Sequence, residues 1–433
     1  MNTSQLENAQ FIDDSNRIII DMSGIVNEKK EEMNKKGFTC IEFDNYKITK
    51  YIKDGMNLAN YYENGKGKGF YRSIITKKGV LMCYSPQKSK KYDSKWKTEN
   101  PDMSKLKITE FVEGTMINVF YDAEKVEWQM ATRSRINCNG KFYKTEENKT
   151  FREMFLEAMI STGMKWDMLN KNYCYSFVLQ HPENRIVLKH QKPNLILTNI
   201  YLILLSQEKQ YKQIIKNVDI YGELGETITG QTDVRRPRDF TLPEFTYKDY
   251  EKFYGEEQDY TCMGVVFTNE KGERTKIRNK NYEKVRHLRG NNPKLQYQFY
   301  CLRKDRRIGE YLKYFPDHKE LFDNFETQLR NYTNELFNHY INSYVKSKNP
   351  NSNIERDEKG YYIDYNNPKY KTHSYQLHEL YKINKNNYSN YKINRNIVIN
   401  YINNLEPARL MYSINFELRQ QKVSEIKEEF EMV

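Results

Sequence analysis

Features that mark secreted, membrane-spanning and zinc-binding proteins are missing from this chain of 433 residues. Its longest apolar-rich stretch, 195–205, contains Thr198 and Asn199 and is shorter than the ~20 apolar residues that cross a bilayer. The first residues lack a basic region and an apolar core, so no signal peptide is expected. The six cysteines stand singly, without CxxC or Cys/His ligand spacing, which argues against a zinc framework or a disulfide scaffold. We therefore expect an intracellular, cytoplasmic protein with no membrane partner.

Disorder is not indicated either, because disordered chains are poor in aromatic residues and 14% of this chain is aromatic. The 36 tyrosines and the abundant Lys, Asn and Ile have a simple alternative explanation in an AT-rich genome. The tyrosines alone therefore say nothing about function. The chain is long enough for two or three domains with buried cores.

Positive charge is concentrated in one segment, 280–313. The whole chain has 70 basic and 58 acidic residues, a net charge of +12, whereas this segment has ten basic and three acidic residues. Its aromatic residues are interleaved with the basic ones, a pattern that suits phosphate contacts and base stacking. We predict RNA contacts for Arg303, Lys304, Arg306 and Arg307. An ordinary solvated basic face is the alternative interpretation.

Strand-type runs separated by turns dominate the first 300 residues. Hairpins are predicted at 70–84, with its turn at 77–79, and at 263–278, with its turn at 269–272. Further strands are predicted at 108–112, 115–121, 126–132, 173–180 and 185–189. The segment 221–245 is predicted to be a loop, and its glycines do not have the spacing of a P-loop.

Helical spacing appears once before residue 300 and dominates after it. Thr150 and Glu153 have the spacing of a capping box, and apolar residues follow at helical intervals. Apolar residues then step by four and three from Leu321 to Tyr340, which predicts a helix with one apolar face. Other predicted elements in this half are a loop at 346–370 and helices at 373–383, 395–405 and 408–420.

Six short segments occur in the order and rough spacing of the motifs of one known family. They are 70–89, 111–115 (FVEGT), 131–134 (ATRS), 175–187 (with HPENRIV), 263–266 (MGVV) and 276–282 (KIR followed by a tyrosine). Together they resemble the covalent nucleotidyltransferase superfamily, and within it the phage RNA ligase 1-like branch as found in large DNA viruses. In that family a lysine attacks the α-phosphate of ATP, forms a lysyl-AMP, and the nucleotide is passed to a 5′-phosphate RNA end.

The resemblance implies an α+β fold: a nucleotidyltransferase domain of antiparallel sheets, ATP-grasp-like, with a C-terminal helical domain. The expected boundaries are an N-terminal mixed segment at 1–65, the RNA-ligase-like domain at 66–300 and the helical domain at 301–433. A viral origin would place the protein in the host cytoplasm or a viral factory.

Three positions depart from the family pattern. Phe111 stands where the family has its nucleophilic lysine, and Val178 and Met263 stand where it has glutamates. Phenylalanine has no lone pair to offer, and loss of the carboxylates weakens any metal site. Lys107 is about 13 Å along a strand from Phe111, too far to substitute, whereas Lys276 stays open as a relocated nucleophile. Ordinary core positions on strands are the alternative interpretation of the three apolar residues.

Several residues of the motifs are retained, and the resemblance implies that they bind nucleotide. They are Arg72, Glu113, Gly114, Arg133, Lys276 and Arg278. The alternative interpretation of Glu113 and Gly114 is a strand bulge or turn. Lys276 and Arg278 could instead be exposed charges on a strand, and Arg72 and Arg133 ordinary salt-bridge partners. No catalytic residue or metal ligand is assigned. ATP is the expected cofactor, with magnesium expected only if the protein is active, and the expected partners are nucleotide and RNA.

Three functions remain open from the sequence. The first is an RNA-ligase-like protein that binds nucleotide or RNA without forming lysyl-AMP. The second is an active RNA ligase or nucleotidyltransferase that uses a relocated lysine. The third is a structural or scaffolding protein of a large DNA virus.

Overall fold

The computed structural model describes residues 10–12, 17–21, 29–35, 37–52, 68–142, 148–205, 212–346, 367–388 and 390–431. The chain divides into two units, Met1–His287 and Leu288–Val433. Within the described residues, all strands belong to the first unit and the second is helical. The expected α+β class with C-terminal helices is therefore confirmed. The boundaries expected at 65 and 300 stay predictions.

The strands of the first unit form three antiparallel sheets. In chain order they are β1 (Gln10–Ile12), β2 (Arg17–Asp21), β3 (Phe38–Phe43), β4 (Tyr46–Tyr51), β5 (Ile74–Lys77), β6 (Val80–Tyr84), β7 (Lys107–Glu110), β8 (Thr115–Asp122), β9 (Glu127–Ala131), β10 (Tyr173–Gln180), β11 (Asn194–Leu205), β12 (Lys212–Val218), β13 (Gly264–Thr268) and β14 (Arg274–Arg278). The seven-stranded sheet has the order β1-β2-β12-β11-β10-β8-β9, the three-stranded sheet β14-β13-β7, and the four-stranded sheet β3-β4-β5-β6.

The α-helices are short in the first unit and longer in the second. They are α1 (Lys30–Lys35), α2 (Ser94–Glu99), α3 (Phe151–Thr162), α4 (Glu223–Thr229), α5 (Tyr247–Lys252), α6 (Lys280–Arg289), α7 (Leu295–Lys304), α8 (Ile308–Tyr314), α9 (Lys319–Tyr340), α10 (Lys371–Lys385), α11 (Arg395–Asn404), α12 (Pro407–Ile414) and α13 (Phe416–Glu431). None of the described helices is long and apolar enough to cross a membrane.

One face of the seven-stranded sheet is covered by α3. The helix begins where the sequence predicts, because Thr150 accepts a hydrogen bond from the Glu153 N–H and the Glu153 carboxylate accepts one from Thr150. Its buried residue Phe155 packs into one core with Phe177 of β10 and Leu197 of β11. The opposite face of this sheet is thereby left to line a cavity.

The three-stranded sheet alternates strictly between two faces, as strand geometry requires. Ile108, Val265 and Ile277 belong to a buried apolar core on one face. Residues one position along each strand, such as Thr109, Val266 and Lys276, form a row across the sheet on the other face. That second face lines the cavity described below.

The four-stranded sheet contains the first predicted hairpin, β5–β6. Its turn is tighter than expected, since only Lys78 and Gly79 separate the strands and both have positive φ, 49° and 83°. Lys77, at the end of β5, forms a buried ion pair with Asp122 of β8, with Nζ 2.6 Å from Oδ2. Tyr46 donates a hydrogen bond to the same carboxylate. This buried charged contact joins the four-stranded sheet to the seven-stranded sheet.

Three local predictions are wrong. Residues 185–189 form no strand, because the Val187 and Leu188 N–H groups donate to the Glu113 carboxylate instead of to a neighbouring strand. The segment 221–245 contains α4 and is not a continuous loop. The helix expected at 408–420 is two helices, α12 and α13, which meet at Asn415. Of the loop expected at 346–370, residues 347–366 lie outside the described residues.

In the second unit, α9 spans 22 residues and is the helix predicted from Leu321 to Tyr340. Its buried side includes Leu329, Leu336 and Tyr340, as the spacing predicts, but Phe322 is buried instead of Leu321. The helix therefore presents one apolar face to its neighbours in this unit.

Candidate functional site

A cavity of about 430 Å³ lies in the first unit. Its lining comes from the three-stranded sheet and from the face of the seven-stranded sheet that α3 does not cover. The seven-stranded sheet contributes neutral side chains, among them Met116, Val178, Asn199 and Tyr201. The three-stranded sheet contributes most of the charge.

Phe111 and Arg278 lie in one row across the three-stranded sheet, with Gly264 between them. The Phe111 N–H donates to the Gly264 carbonyl at 3.0 Å, and Gly264 pairs with Arg278. Gly264 has φ +126°, and a Cβ there would lie 2.1 Å from the Ile277 carbonyl oxygen, so only glycine fits this position. The gap in side chains at Gly264 leaves room for the Phe111 ring beside the β14 side chains.

The Phe111 ring is in contact with two cations. Lys276 Nζ lies 4.6 Å and the Arg278 guanidinium carbon 5.3 Å from the ring centroid. These distances are those of cation–π contacts, which are favourable because the ring face is electron-rich. The aromatic ring of Phe111 thus supports two positive side chains.

Lys276 has an unusual environment for a lysine. Burial, and after it the nearby positive charges, chiefly those of Arg278 and Arg72, lower its pKa to about 7. Among the described residues, no carboxylate forms an ion pair with it. Its amine is therefore partly neutral at pH 7 and would take up a proton when an anion enters the cavity.

Four arginines that line the cavity act on Lys276, and together with it they form a set that we call the cavity cluster. Its members are Arg72, Arg274, Lys276, Arg278 and Arg286. Lys107 and Lys271 also line the cavity, which gives seven cationic residues in the lining. Arg278 and Arg286 share Glu283, at 2.6 and 3.3 Å. One carboxylate thus serves two guanidinium groups, and the cluster keeps an excess of positive charge.

The three carboxylates that line the cavity already have partners. Glu110 forms an ion pair with Arg235 at 2.7 Å. Buried Glu113 accepts hydrogen bonds from the Val187 and Leu188 N–H groups at 3.2 and 3.0 Å. Asp219 lies 3.6 Å from Lys107 Nζ. None of them is in the arrangement that a divalent cation needs, and the described residues contain no group of three His, Cys, Asp or Glu side chains that could hold a metal.

Gly114 fixes the approach of the FVEGT segment to β10. Its φ is +147°, and a Cβ would lie 2.5 Å from both the Leu179 carbonyl oxygen and Val178 Cγ1. A side chain at this position is therefore excluded. The contact brings Val178 to the cavity beside the FVEGT segment.

The structure brings together five of the six residues for which nucleotide binding was predicted. Arg72, Glu113, Gly114, Lys276 and Arg278 all line the cavity. Arg133 is not among the lining residues: its Nε donates to the Arg72 carbonyl at 3.2 Å, and its guanidinium lies 4.9 Å from the Tyr51 ring. The positions of the three departures, Phe111, Val178 and Met263, also meet at this cavity.

The four residues predicted to contact RNA lie at the end of α7 and in the turn that follows, and we call them the α7 group. Three of them form ion pairs: Arg303 with Glu326 at 3.3 Å, Lys304 with Glu406 at 2.6 Å and Arg307 with Glu310 at 2.9 Å. Arg306 has a positive φ of 58°. Much of the positive charge in this group is thus locally balanced, and its contact with RNA stays a prediction.

Sequence reasoning missed Arg274 and Arg286 of the cavity cluster, as well as Asn199. Arg274 lies two positions before Lys276, so the strand period alone would have placed the two on one face. Asn199 lines the cavity, and its buried side-chain oxygen has no hydrogen-bond partner among the described residues. Arg286 lies in the basic segment 280–313, but nothing local assigned it to this cavity, and no local pattern marked Asn199, since both reach the cavity through the tertiary fold.

Comparison with known sequences supports the resemblance. No family model matches the chain. Over 130 residues the chain is 31% identical to an RNA ligase of Rhodothermus phage RM378, a match that covers 28% of this chain and 28% of that protein. The chain is thus matched to little more than a quarter of that relative's length. The predicted resemblance to RNA ligases of the nucleotidyltransferase superfamily is confirmed.

Several solved structures are similar to parts of this chain at low identity. A putative ATP-dependent DNA ligase from Aquifex aeolicus is 12% identical, with 71% of this chain and 74% of that chain covered and a TM-score of 0.35. An archaeal ATP-dependent RNA ligase is 11% identical, with 68% and 69% covered and a TM-score of 0.33. A Naegleria gruberi RNA ligase with PPi is 12% identical, with 55% and 64% covered and a TM-score of 0.34. With TM-scores below 0.5, these superpositions support no statement about the site of this chain.

Proposed function

We propose that the cavity binds ATP without forming a lysyl-AMP, in a protein with an RNA-ligase-like nucleotidyltransferase fold. The observation that supports this most strongly is the cavity cluster, two of whose members, Lys276 and Arg278, contact the ring of Phe111, at the position where the family pattern has its nucleophile. Guanidinium and ammonium groups suit phosphate oxygens, with which they form charge-assisted hydrogen bonds. The volume of about 430 Å³ is within the range of small-ligand sites.

The two walls of the cavity suit the two parts of a nucleotide. The cavity cluster, three of whose members lie on β14 of the three-stranded sheet, supplies charge for the phosphates. Met116, Val178 and Tyr201 on the other wall supply apolar surface for a base. The unpaired side-chain oxygen of Asn199 lies among them and could accept a hydrogen bond from a base amino group or a ribose hydroxyl.

The absence of a lysine at position 111 is not compensated by its neighbour Lys107. The Lys107 ammonium lies 3.5 Å from the centroid of the Tyr221 ring and 3.6 Å from Asp219. The ammonium group is thus engaged by an aromatic ring and a carboxylate. Lys107 is therefore occupied with other partners as well as distant from position 111.

A second candidate function, an active ligase or nucleotidyltransferase, rests on Lys276. Its side chain is on the cavity face, contacts the Phe111 ring, and has a pKa of about 7. In this function the neutral amine would attack the α-phosphorus of ATP, forming a P–N bond as the P–O bond to pyrophosphate breaks and an amine proton passes to solvent. Lys276 would then be a catalytic residue in place of Phe111.

One experiment separates these functions. The purified chain is incubated with ATP labelled at the α-phosphate and with magnesium or manganese, and is then run on a denaturing gel. Binding without a covalent label supports the proposed function. A label that is lost in Lys276→Met but retained in Lys95→Met, an exposed lysine on α2, supports the active enzyme. Neither label nor binding would favour a structural or scaffolding role.

RNA is the second partner that we propose, with the α7 group as its contact. Binding of an RNA oligomer should weaken steeply with salt, because each neutralised phosphate releases counterions. Charge reversal at Arg303, Lys304, Arg306 and Arg307 should weaken all RNA sequences alike. Salt-independent binding, or none, would count against it. Action in the cytoplasm of a host cell or in a viral factory stays a prediction.

A further inference from the structure

The resemblance to RNA ligases implies a divalent metal that assists the phosphates, so the cavity can be tested for a place to hold one. Two positions that have glutamates in the family pattern are Val178 and Met263, and both present apolar side chains to the cavity. Magnesium prefers carboxylates and water as ligands. The lining at these two positions therefore does not fit a metal.

The carboxylates that remain are committed to other contacts. The Glu113 carboxylate is buried and accepts N–H groups from Val187 and Leu188, which hold the 181–190 segment in place. Glu110 is paired with Arg235, and Asp219 lies near Lys107. A metal that took the Glu113 oxygens would leave two backbone N–H groups without their acceptor, which is unfavourable. At Glu110 and Asp219 it would compete with the cations already paired with them.

The net charge of the cavity lining favours an anion over a metal cation. Seven cationic and three carboxylate side chains line it, and a free divalent cation would be repelled. An anion is attracted, and the attraction grows with its negative charge. The metal-free form of a nucleoside triphosphate is more negative than its magnesium complex, so the same cluster should bind the metal-free form better.

We propose that this cavity selects the metal-free form of a nucleoside triphosphate, with the cavity cluster neutralising the phosphates in place of a divalent cation. This inference rests on the proposed function, since it concerns the form in which the same ligand binds. Arg274 and Lys276 are central to it because they lie on one face of β14 at the cavity. Lys276 in particular has no carboxylate partner among the described residues and is available to the ligand.

The test is equilibrium binding of ATP to the full chain, by calorimetry, at one ionic strength and one pH. One buffer contains EDTA and the other contains magnesium in excess over ATP. We expect the dissociation constant to be roughly tenfold or more smaller in EDTA. Equal or tighter binding with magnesium would overturn the inference and leave the proposed function standing. No binding in either buffer would overturn both.

A substitution that returns a carboxylate sharpens the test. Met263 lines the cavity and is only partly buried, so Met263→Glu can be accommodated better than a change at buried Val178. The added charge should reduce the preference for metal-free ATP by several-fold. Met263→Gln is the matched control, with the same shape and no charge, and should keep the preference. Equal effects of the two substitutions would show that charge is not the cause and would contradict the inference.

Discussion

The cavity cluster and the α7 group are both rich in Arg and Lys, but they hold their charge in different ways. In the α7 group, three of the four side chains form ion pairs with glutamates of the same unit. In the cavity cluster, Arg278 and Arg286 share one glutamate, and Lys276 is partly deprotonated by its surroundings. The α7 group thus resembles an ordinary protein surface. In the cavity cluster the like charges repel one another, and an anionic ligand would relieve that repulsion.

This difference was hidden in the sequence. The α7 group stands out there because its residues are adjacent, while the cavity cluster is spread from Arg72 to Arg286. High charge density along a chain therefore does not by itself identify a site of uncompensated positive charge in space. A site assembled from distant strands can hold cations that each look unremarkable in the sequence.

The largest effect that we expect is weaker ATP binding when two charges of the cavity cluster are removed. The double variant Arg274→Gln/Lys276→Met removes two phosphate-binding charges and should weaken ATP binding by about a hundredfold or more, since each charge-assisted contact contributes about 1.5–3 kcal/mol. Calorimetry on the folded variant, checked by circular dichroism, measures this. If Lys304→Met/Arg307→Gln in the α7 group weakens ATP binding equally, the distinction between the two regions fails.

The pH dependence of ATP binding tests the charge state of Lys276. Its pKa in the free protein is about 7, and an anion beside it raises that pKa, so binding takes up a proton in the window above pH 7. Affinity should fall as the pH rises through this window, by up to about tenfold per pH unit. Lys276→Arg stays charged throughout and should give a flatter profile. A wild-type profile as flat as that of Lys276→Arg would show that Lys276 does not titrate with binding.

Removing the Lys276 amine should also change the stability of the ligand-free protein, by a smaller amount. The substitution that weakens ATP binding is expected to stabilise the fold. Burying Lys276 near other cations lowers its pKa from 10.5 in the unfolded chain to about 7. Its charged form therefore destabilises the folded state fully below about pH 7, and this cost disappears as the pH rises toward 10.5. Lys276→Met should raise the free energy of unfolding at pH 7 by roughly 1 kcal/mol or more. Urea unfolding at pH 7 and pH 9 measures it, and the gain should shrink at pH 9; a loss of stability at pH 7 would contradict the prediction.

The smallest effect is expected for a single charge of the α7 group. Lys304 forms an exposed ion pair with Glu406, and such pairs contribute about 0–1 kcal/mol. Lys304→Met should leave the free energy of unfolding almost unchanged, in contrast to Lys276→Met. If Lys304 contacts an RNA phosphate, the salt dependence of RNA binding should decrease by about one counterion. Filter binding at several salt concentrations tests this, with Lys319→Met, on exposed α9 surface, as the control.

Local chemistry accounts for the elements that could be predicted. Thr150 and Glu153 specify the start of α3 through contacts three residues apart, and the alternating pattern of 274–278 specifies a strand. The strand expected at 185–189 failed because its N–H groups bond to Glu113, 74 residues away. The sequence of 185–189 itself does not indicate that Glu113 is its partner.

The sequence predicted that several motif positions belong to one site, but it did not predict the balance of charge there. Motif positions identified Phe111, Lys276 and Arg278, and these meet at one cavity. The lowered pKa of Lys276 depends on burial and on Arg72, which approaches from a different part of the chain. Such effects arise only when segments far apart in sequence are brought together.

The contact of the Phe111 ring with two cations also limits what can replace this side chain. A substitution Phe111→Lys would replace an electron-rich surface with a third positive charge close to Lys276 and Arg278. It would place an amine at this position while removing the group that keeps those two cations in place. A lysine at position 111 is therefore compatible with this cavity only together with a further change of charge in β14 or at Met263.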